Sequence, residues 1–114
     1  MVVSYETLRR RLEDQRAQLQ EEIKQFRIAG RDNLGYSNHQ ADDATDAFEQ
    51  AKELSLLQNT ERLLAQVETA LARFERGVYG ICDRCGDRID PARLKALPYA
   101  TLCMACQQRV EQAL

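Results

Sequence analysis

Tryptophan is absent, and the chain holds one histidine, two prolines and five glycines among 114 residues. Aromatic side chains make up only 6%. That shortage, with so little Gly and Pro, argues against a compact sheet protein and for long helices in a mainly α fold. No apolar run reaches the roughly 18 residues that cross a bilayer, so no membrane association is expected. The stretch Met1 to Arg11 lacks the apolar centre of a secretory leader, because Arg9, Arg10 and Arg11 fall where it would stand; the expected location is cytoplasmic. Neither sign of charge dominates. With 16 Lys+Arg against 18 Asp+Glu, the net charge of −2 gives no broad basic field for duplex nucleic acid. An exposed nucleophile–base pair and a phosphate-cradling glycine loop are also missing, so the chain does not read as an enzyme. Its length suits one domain.

The few breakers are unevenly placed. The glycines are at 30, 35, 77, 80 and 86 and the prolines at 91 and 98, leaving 1–29 and 36–76 free of both. Two long helices follow. In the first, Leu8, Leu12, Leu19, Ile23 and Phe26 keep a heptad-like spacing, with Gln15 at the missing seam position and Ser4 as the N-cap. In the second, Ala47, Ala51, Leu54, Leu57, Leu64, Val67, Leu71, Phe74 and Val78 continue one seam, with Thr60 or Glu61 as its polar gap. Gly30 to Asn38 is expected to form the turn between them, with Ser37 and Gln40 as a capping box for the second helix. Two amphipathic helices joined by a short turn predict a long antiparallel coiled-coil hairpin over 1–78, its tip at about 30–46. So thin a core calls for a staple.

The staple is expected in 79–114. Cys82-Asp83-Arg84-Cys85 and Cys103-Met104-Ala105-Cys106 are separated by seventeen residues. Two such pairs in a chain without a secretory leader read as one zinc site before they read as disulfides. Four thiolates close a tetrahedron and leave no open position, so the zinc would be structural. The same spacing also fits redox dithiols, although the βαβ setting of a thioredoxin-type motif is missing. Ile89, Leu94 and Leu97 supply a small apolar core for the finger. Asp83, Arg84, Asp87, Arg88 and Asp90 read as its solvated rim. The residues after Cys103 form a C-terminal helix whose Val110 and Leu114 can dock on the hairpin base.

Residues 39–49 carry Asp42, Asp43, Asp46 and Glu49 and no Lys or Arg. Acids in a first helical turn complement the positive end of its dipole. Asp43 and Asp46 also share one helix face at the far end of a hairpin, where carboxylates can meet a divalent cation or basic residues of a partner. His39 reads as a solvated turn residue, and the aromatic residues as too scattered for base stacking.

The segment from Gly80 through Cys85, Gly86 and Ile89, then Arg93, Leu94, Ala96, Pro98, Ala100 and Cys103 to Cys106, resembles the zinc finger of the DksA/TraR family. The likeness covers about 43–114. It implies an RNA-polymerase-binding transcription regulator: a coiled-coil hairpin, a four-Cys zinc finger and a C-terminal helix. It further implies a tip that enters the polymerase secondary channel, with no sequence-specific contact to nucleic acid. Family tips carry two Asp three apart and an Ala two residues later. Asp43 and Asp46 match the acids, Phe48 takes the Ala position with Ala47 one place early, and the following helix is one turn shorter. Some members bind guanosine tetraphosphate with basic residues. The corresponding Gln66, Leu97 and Gln107 carry no charge, so that site is not expected here. A monomer is expected. Two other readings of the residues stay open: a coiled-coil interaction adaptor, and a thiol redox sensor that releases zinc.

Overall fold

The computed structural model describes the backbone of residues 4–35 and 43–113 and the side chains of 4–28 and 47–113. Four helices follow one another: α1 (Tyr5–Gly35), α2 (Asp43–Glu75), α3 (Pro91–Ala96) and α4 (Met104–Gln112). Among the described residues there is no strand, only one isolated antiparallel bridge between Ile81 and Arg88. The fold is mainly α, a coiled-coil hairpin followed by a four-cysteine segment and a C-terminal helix. None of the described helices is long and apolar enough to cross a membrane.

Ser4 caps α1 as its sequence position predicts. The Thr7 amide donates to Ser4 Oγ at 3.2 Å, and the Leu8 amide donates to the Ser4 carbonyl at 3.1 Å. One donor the helix cannot satisfy internally is thereby paired. The far end of α1 differs from expectation. The helix does not stop at Gly30 but runs to Gly35. A lone glycine costs about 1 kcal/mol inside a helix, which a long, already nucleated helix absorbs. The proposed capping pair Ser37 and Gln40, and His39, lie outside the described residues.

α2 ends on a Schellman motif. Gly77 adopts φ of 73°, the Val78 amide donates to the Arg73 carbonyl at 2.9 Å, and the Gly77 amide to the Phe74 carbonyl at 3.1 Å. Glycine takes this left-handed position without a Cβ clash. α3 opens on Asp90, whose Oδ1 accepts the Ala92 amide at 2.9 Å, with Pro91 at the first helical position. Asp90 is exposed, as a rim residue is expected to be, and it also serves as this cap.

The chain divides into two compact units, Met1–Arg16 with Ala65–Leu114 and Ala17–Leu64. In the first, Leu8, Leu12, Val67, Ala70 and Leu71 are buried, and so are Ile89, Leu94 and Cys106. In the second, Leu19 and Ile23 are buried. Arg9 Nη2 meets Glu75 Oε1 at 2.8 Å in the first unit, and Arg27 Nη2 meets Glu61 Oε2 at 3.6 Å in the second. Numbers rise along α1 as they fall along α2, which is antiparallel pairing. Such exposed ion pairs contribute little energy and mark register more than they stabilise.

The α1 seam matches its pattern throughout, with Gln15 and Phe26 half-buried. The α2 seam matches only from Leu57 onward, and Ala70 joins it at 0% exposure. Ala47, Ala51 and Leu54 are exposed, Leu54 to 54%. A heptad pattern marks a face of one helix; burial also requires partner atoms at the same level.

Candidate metal centre

The Schellman turn hands the chain into a tight hairpin that carries the first cysteine pair. The Ile89 amide donates to the Gly80 carbonyl at 2.8 Å and the Cys82 amide to the Asp87 carbonyl at 2.7 Å. The Gly86 amide closes the turn on the Cys82 carbonyl at 3.0 Å, with Gly86 at φ of 81°. This left-handed residue directly after Cys85 lets the knuckle fold back. Inside it, the Arg84 amide points at Cys82 Sγ at 3.4 Å. The second pair lies on α4. Cys103 is its N-cap and Cys106 stands in its first turn, so one helical turn brings both sulfurs to the same side. The Asp83 amide donates to the Thr101 carbonyl at 2.8 Å and sews the two knuckles together.

Cys82, Cys85, Cys103 and Cys106 consequently converge, their sulfurs all within 4.8 Å of one another. Cys85 and Cys103 Sγ are 3.8 Å apart. A tetrahedral zinc with Zn–S bonds of roughly 2.3 Å has sulfur–sulfur edges of about 3.8 Å, so the spacing fits. An all-thiolate set of four is a closed, soft donor set, suited to one structural zinc with no position for substrate. Cys82 and Cys106 are buried at 2% exposure, while Cys85 is exposed. Burial pushes the Cys106 thiol up to about 12, reinforced by its three thiol neighbours. Burial also raises Cys82, but backbone amides of Cys103, Cys85 and Arg84 and the Cys85 thiol outweigh it and bring it to about 6. Crowded thiols do not all ionise together without a cation to hold them.

Side chains that sequence pattern left unassigned position this cluster. The Tyr79 ring stacks on Phe74 with centroids 3.8 Å apart, and Tyr5 stands edge-on to Tyr79 at 5.2 Å and to Phe74 at 6.5 Å. The Arg9 guanidinium lies over Phe74 at 5.6 Å from its centroid. Aromatic residues that look scattered along the chain thus form one clasp between α1, α2 and the finger. Gly80 takes φ of 81°, a conformation that favours glycine, and a Cβ there would also overlap the Tyr5 hydroxyl. The buried Tyr79 hydroxyl donates to the Pro98 carbonyl at 2.7 Å. Desolvation, then the neighbouring Tyr5, raise Tyr79 to about 12 against a smaller lowering by Arg11. Arg93 Nε donates to the Leu102 carbonyl at 3.0 Å, next to Cys103. Of the expected finger core, Ile89 and Leu94 are buried and Leu97 half-buried. Val110 is half-buried, and Leu114 lies outside the described residues.

The family model of the prokaryotic DksA/TraR C4-type zinc finger matches residues 77–112. Over 103 residues the chain is 31% identical to the RNA polymerase-binding transcription factor DksA of Escherichia coli strain K12, covering 90% of this chain and 68% of that protein. This chain belongs to the DksA/TraR family. It is 38% identical to the DksA of Caulobacter vibrioides over 72 residues, 63% of this chain and 51% of that one. The solved structure of transcription factor DksA2 from Pseudomonas aeruginosa superposes with a TM-score of 0.75 at 32% identity, covering 96% of this chain and 84% of that one. Across the Caulobacter protein and three further matches the aligned stretch takes in only 28% to 57% of the curated relative's length. As in the family's finger, the four cysteines here are the set that would hold one zinc.

Asp43 and Asp46 lie in the first turn of α2, and their side chains are outside the described residues. Phe48, two residues on, is 74% exposed. Gln66 is exposed, and Leu97 and Gln107 are half-buried; Gln107 Nε2 donates to Glu111 Oε1 at 3.2 Å.

Proposed function

We propose that this chain is an RNA-polymerase-binding transcription regulator that places the tip of its hairpin in the polymerase secondary channel. The observation that carries the reading is the 103-residue match to the E. coli protein named for that binding, which takes in hairpin and finger together. Cys82, Cys85, Cys103 and Cys106 hold a structural zinc, whose four bonds fix the finger against the hairpin base. That metal contributes folding free energy and no chemistry. The hairpin is the reaching element. Asp43 and Asp46, three apart on one face of α2, present negative charge to basic or metal-bearing groups of the polymerase. The regulator acts by occlusion and electrostatics, without reading DNA sequence. The exposed Phe48 gives this tip an apolar contact where family members carry Ala. With Gln66, Leu97 and Gln107 uncharged, the chain forms no ionic site for guanosine tetraphosphate.

In vitro transcription from a responsive promoter tests the tip. The variant Asp43→Asn with Asp46→Asn keeps wild-type helicity and zinc content and loses the promoter effect. A promoter effect equal to wild type would remove both carboxylates from the mechanism. Addition of guanosine tetraphosphate leaves the effect of this chain unchanged, and measured synergy would contradict the missing alarmone site.

A further inference from the structure

Arg73 is the one charged residue fully buried among those described, at 6% exposure. A buried cation has to be satisfied by hydrogen bonds or a counter-charge. Arg73 finds both within the chain that leads through the first zinc ligand. Its Nη2 donates to the Ile81 carbonyl and, at 3.4 Å, to the Val78 carbonyl. Its Nη1 meets Asp83 Oδ1 at 3.2 Å. Ile81 and Asp83 are the two neighbours of Cys82. One planar guanidinium therefore brackets the most deeply placed cysteine of the first knuckle from both sides.

We propose that Arg73 is a positioning residue of the metal centre, an outer cation that fixes Cys82 and retards loss of zinc. The reasoning is electrostatic as well as geometric. A zinc bound by four thiolates carries a net charge of −2, and Cys82 is screened from water at 2% exposure. A permanent positive charge beside its backbone attracts that anionic centre as a whole. Groups that orient metal ligands from outside typically change metal affinity by ten- to hundredfold when removed. The fork geometry matters, because a lysine ammonium is a point charge and does not bridge two acceptors in one plane. Asp83 is the lesser partner, since its side chain is 70% exposed and water screens that end of the pair. Arg73 also belongs to the last turns of α2, so the metal knuckle and the helix end are joined through one side chain. This inference concerns the zinc site alone and stands apart from the choice of partner.

The test is the rate at which zinc-loaded protein gives up its metal to a coloured chelator at neutral pH, with melting of the same samples alongside. Arg73→Met releases zinc on the order of tenfold or more faster than wild type. Asp83→Asn shifts the rate in the same direction by less. The two changes combined are less than additive, because they remove one shared contact. Arg76→Met, an exposed arginine of the same helix end, releases zinc at the wild-type rate. Equal rates for Arg73→Met and Arg76→Met would overturn the proposal. A lower melting temperature with an unchanged rate would do the same, since it would make Arg73 a packing residue only. If Arg73→Met does not fold, Arg73→Lys decides: it keeps the charge and most of the stem, so faster release supports the bracket and an unchanged rate refutes it.

Discussion

The two units of the chain bury their hydrophobic residues very differently. Eleven of the thirteen buried hydrophobic residues among those described belong to Met1–Arg16 with Ala65–Leu114, and only Leu19 and Ile23 to Ala17–Leu64. The large exposed hydrophobics divide the other way, with Ile28, Phe48, Leu54 and Leu56 in Ala17–Leu64. Long-range bonds also concentrate in the first unit. Arg11 Nη1 reaches the Lys95 carbonyl across 84 positions, whereas among the described residues of the second unit the side-chain hydrogen bonds are local, as in Gln25 to Glu21 and Thr60 to Leu56, and the Arg27–Glu61 ion pair is the long-range contact. Charge follows the same division: residues 17–64 hold nine acids and five bases, and the remainder nine acids and eleven bases. Among the described residues, the first unit is the more buried and the second the more exposed.

The comparison is broken most severely at the metal. Cys85→Ser removes one of four ligands, and zinc binding is folding free energy. The expected outcome is loss of bound zinc and of order across 77–112, read by metal analysis and by protease cleavage there. Full zinc content and wild-type protease resistance would count against a structural metal. Next comes the contrast of two leucines. Leu94→Ala empties a fully buried site and is expected to cost about 2–5 kcal/mol in a denaturant melt, whereas Leu54→Ala, half exposed, changes stability by about 0.5 kcal/mol or less. Similar costs at both positions would erase the distinction between the units.

Smaller effects sharpen the same contrast. Tyr79 is raised from 10.0 to about 12 by burial. Its contribution is complete below pH 10, where both states are protonated. Between pH 10 and 12 the unfolded chain loses its proton first, so stability falls as pH rises. Melting temperatures across that window drop for wild type and drop less for Tyr79→Phe, which at neutral pH loses about 1 kcal/mol with the bond to Pro98. An identical alkaline slope for both would take the burial of that hydroxyl out of the account. The smallest effect is Ser4→Ala, which removes the α1 cap for about 0.5–1 kcal/mol, seen as a slight fall in melting temperature.

What the sequence disclosed follows from the range of its signals. Leu8, Leu12, Leu19 and Ile23 announce their face by spacing alone, and two cysteine pairs announce a metal because each pair is local. The clasp of Tyr5, Phe74 and Tyr79 has no such signal, since its members are joined only after α1 and α2 have paired. Arg73 stands three residues after the buried Ala70, on the side that turns inward, yet nothing local distinguishes it from the exposed Arg76. The overrun of α1 past Gly30 shows a weak breaker losing to a long helix. The exposed Leu54 shows that periodicity names a face and does not provide its cover.

The most direct measurement places a photo-cross-linker at residue 46 and incubates the zinc-loaded protein with core RNA polymerase. Cross-linking to residues that line the secondary channel near the polymerase active site is the predicted result. Stable binding with the cross-link elsewhere, or no binding at all, would contradict the claim that this hairpin delivers Asp43 and Asp46 into that channel.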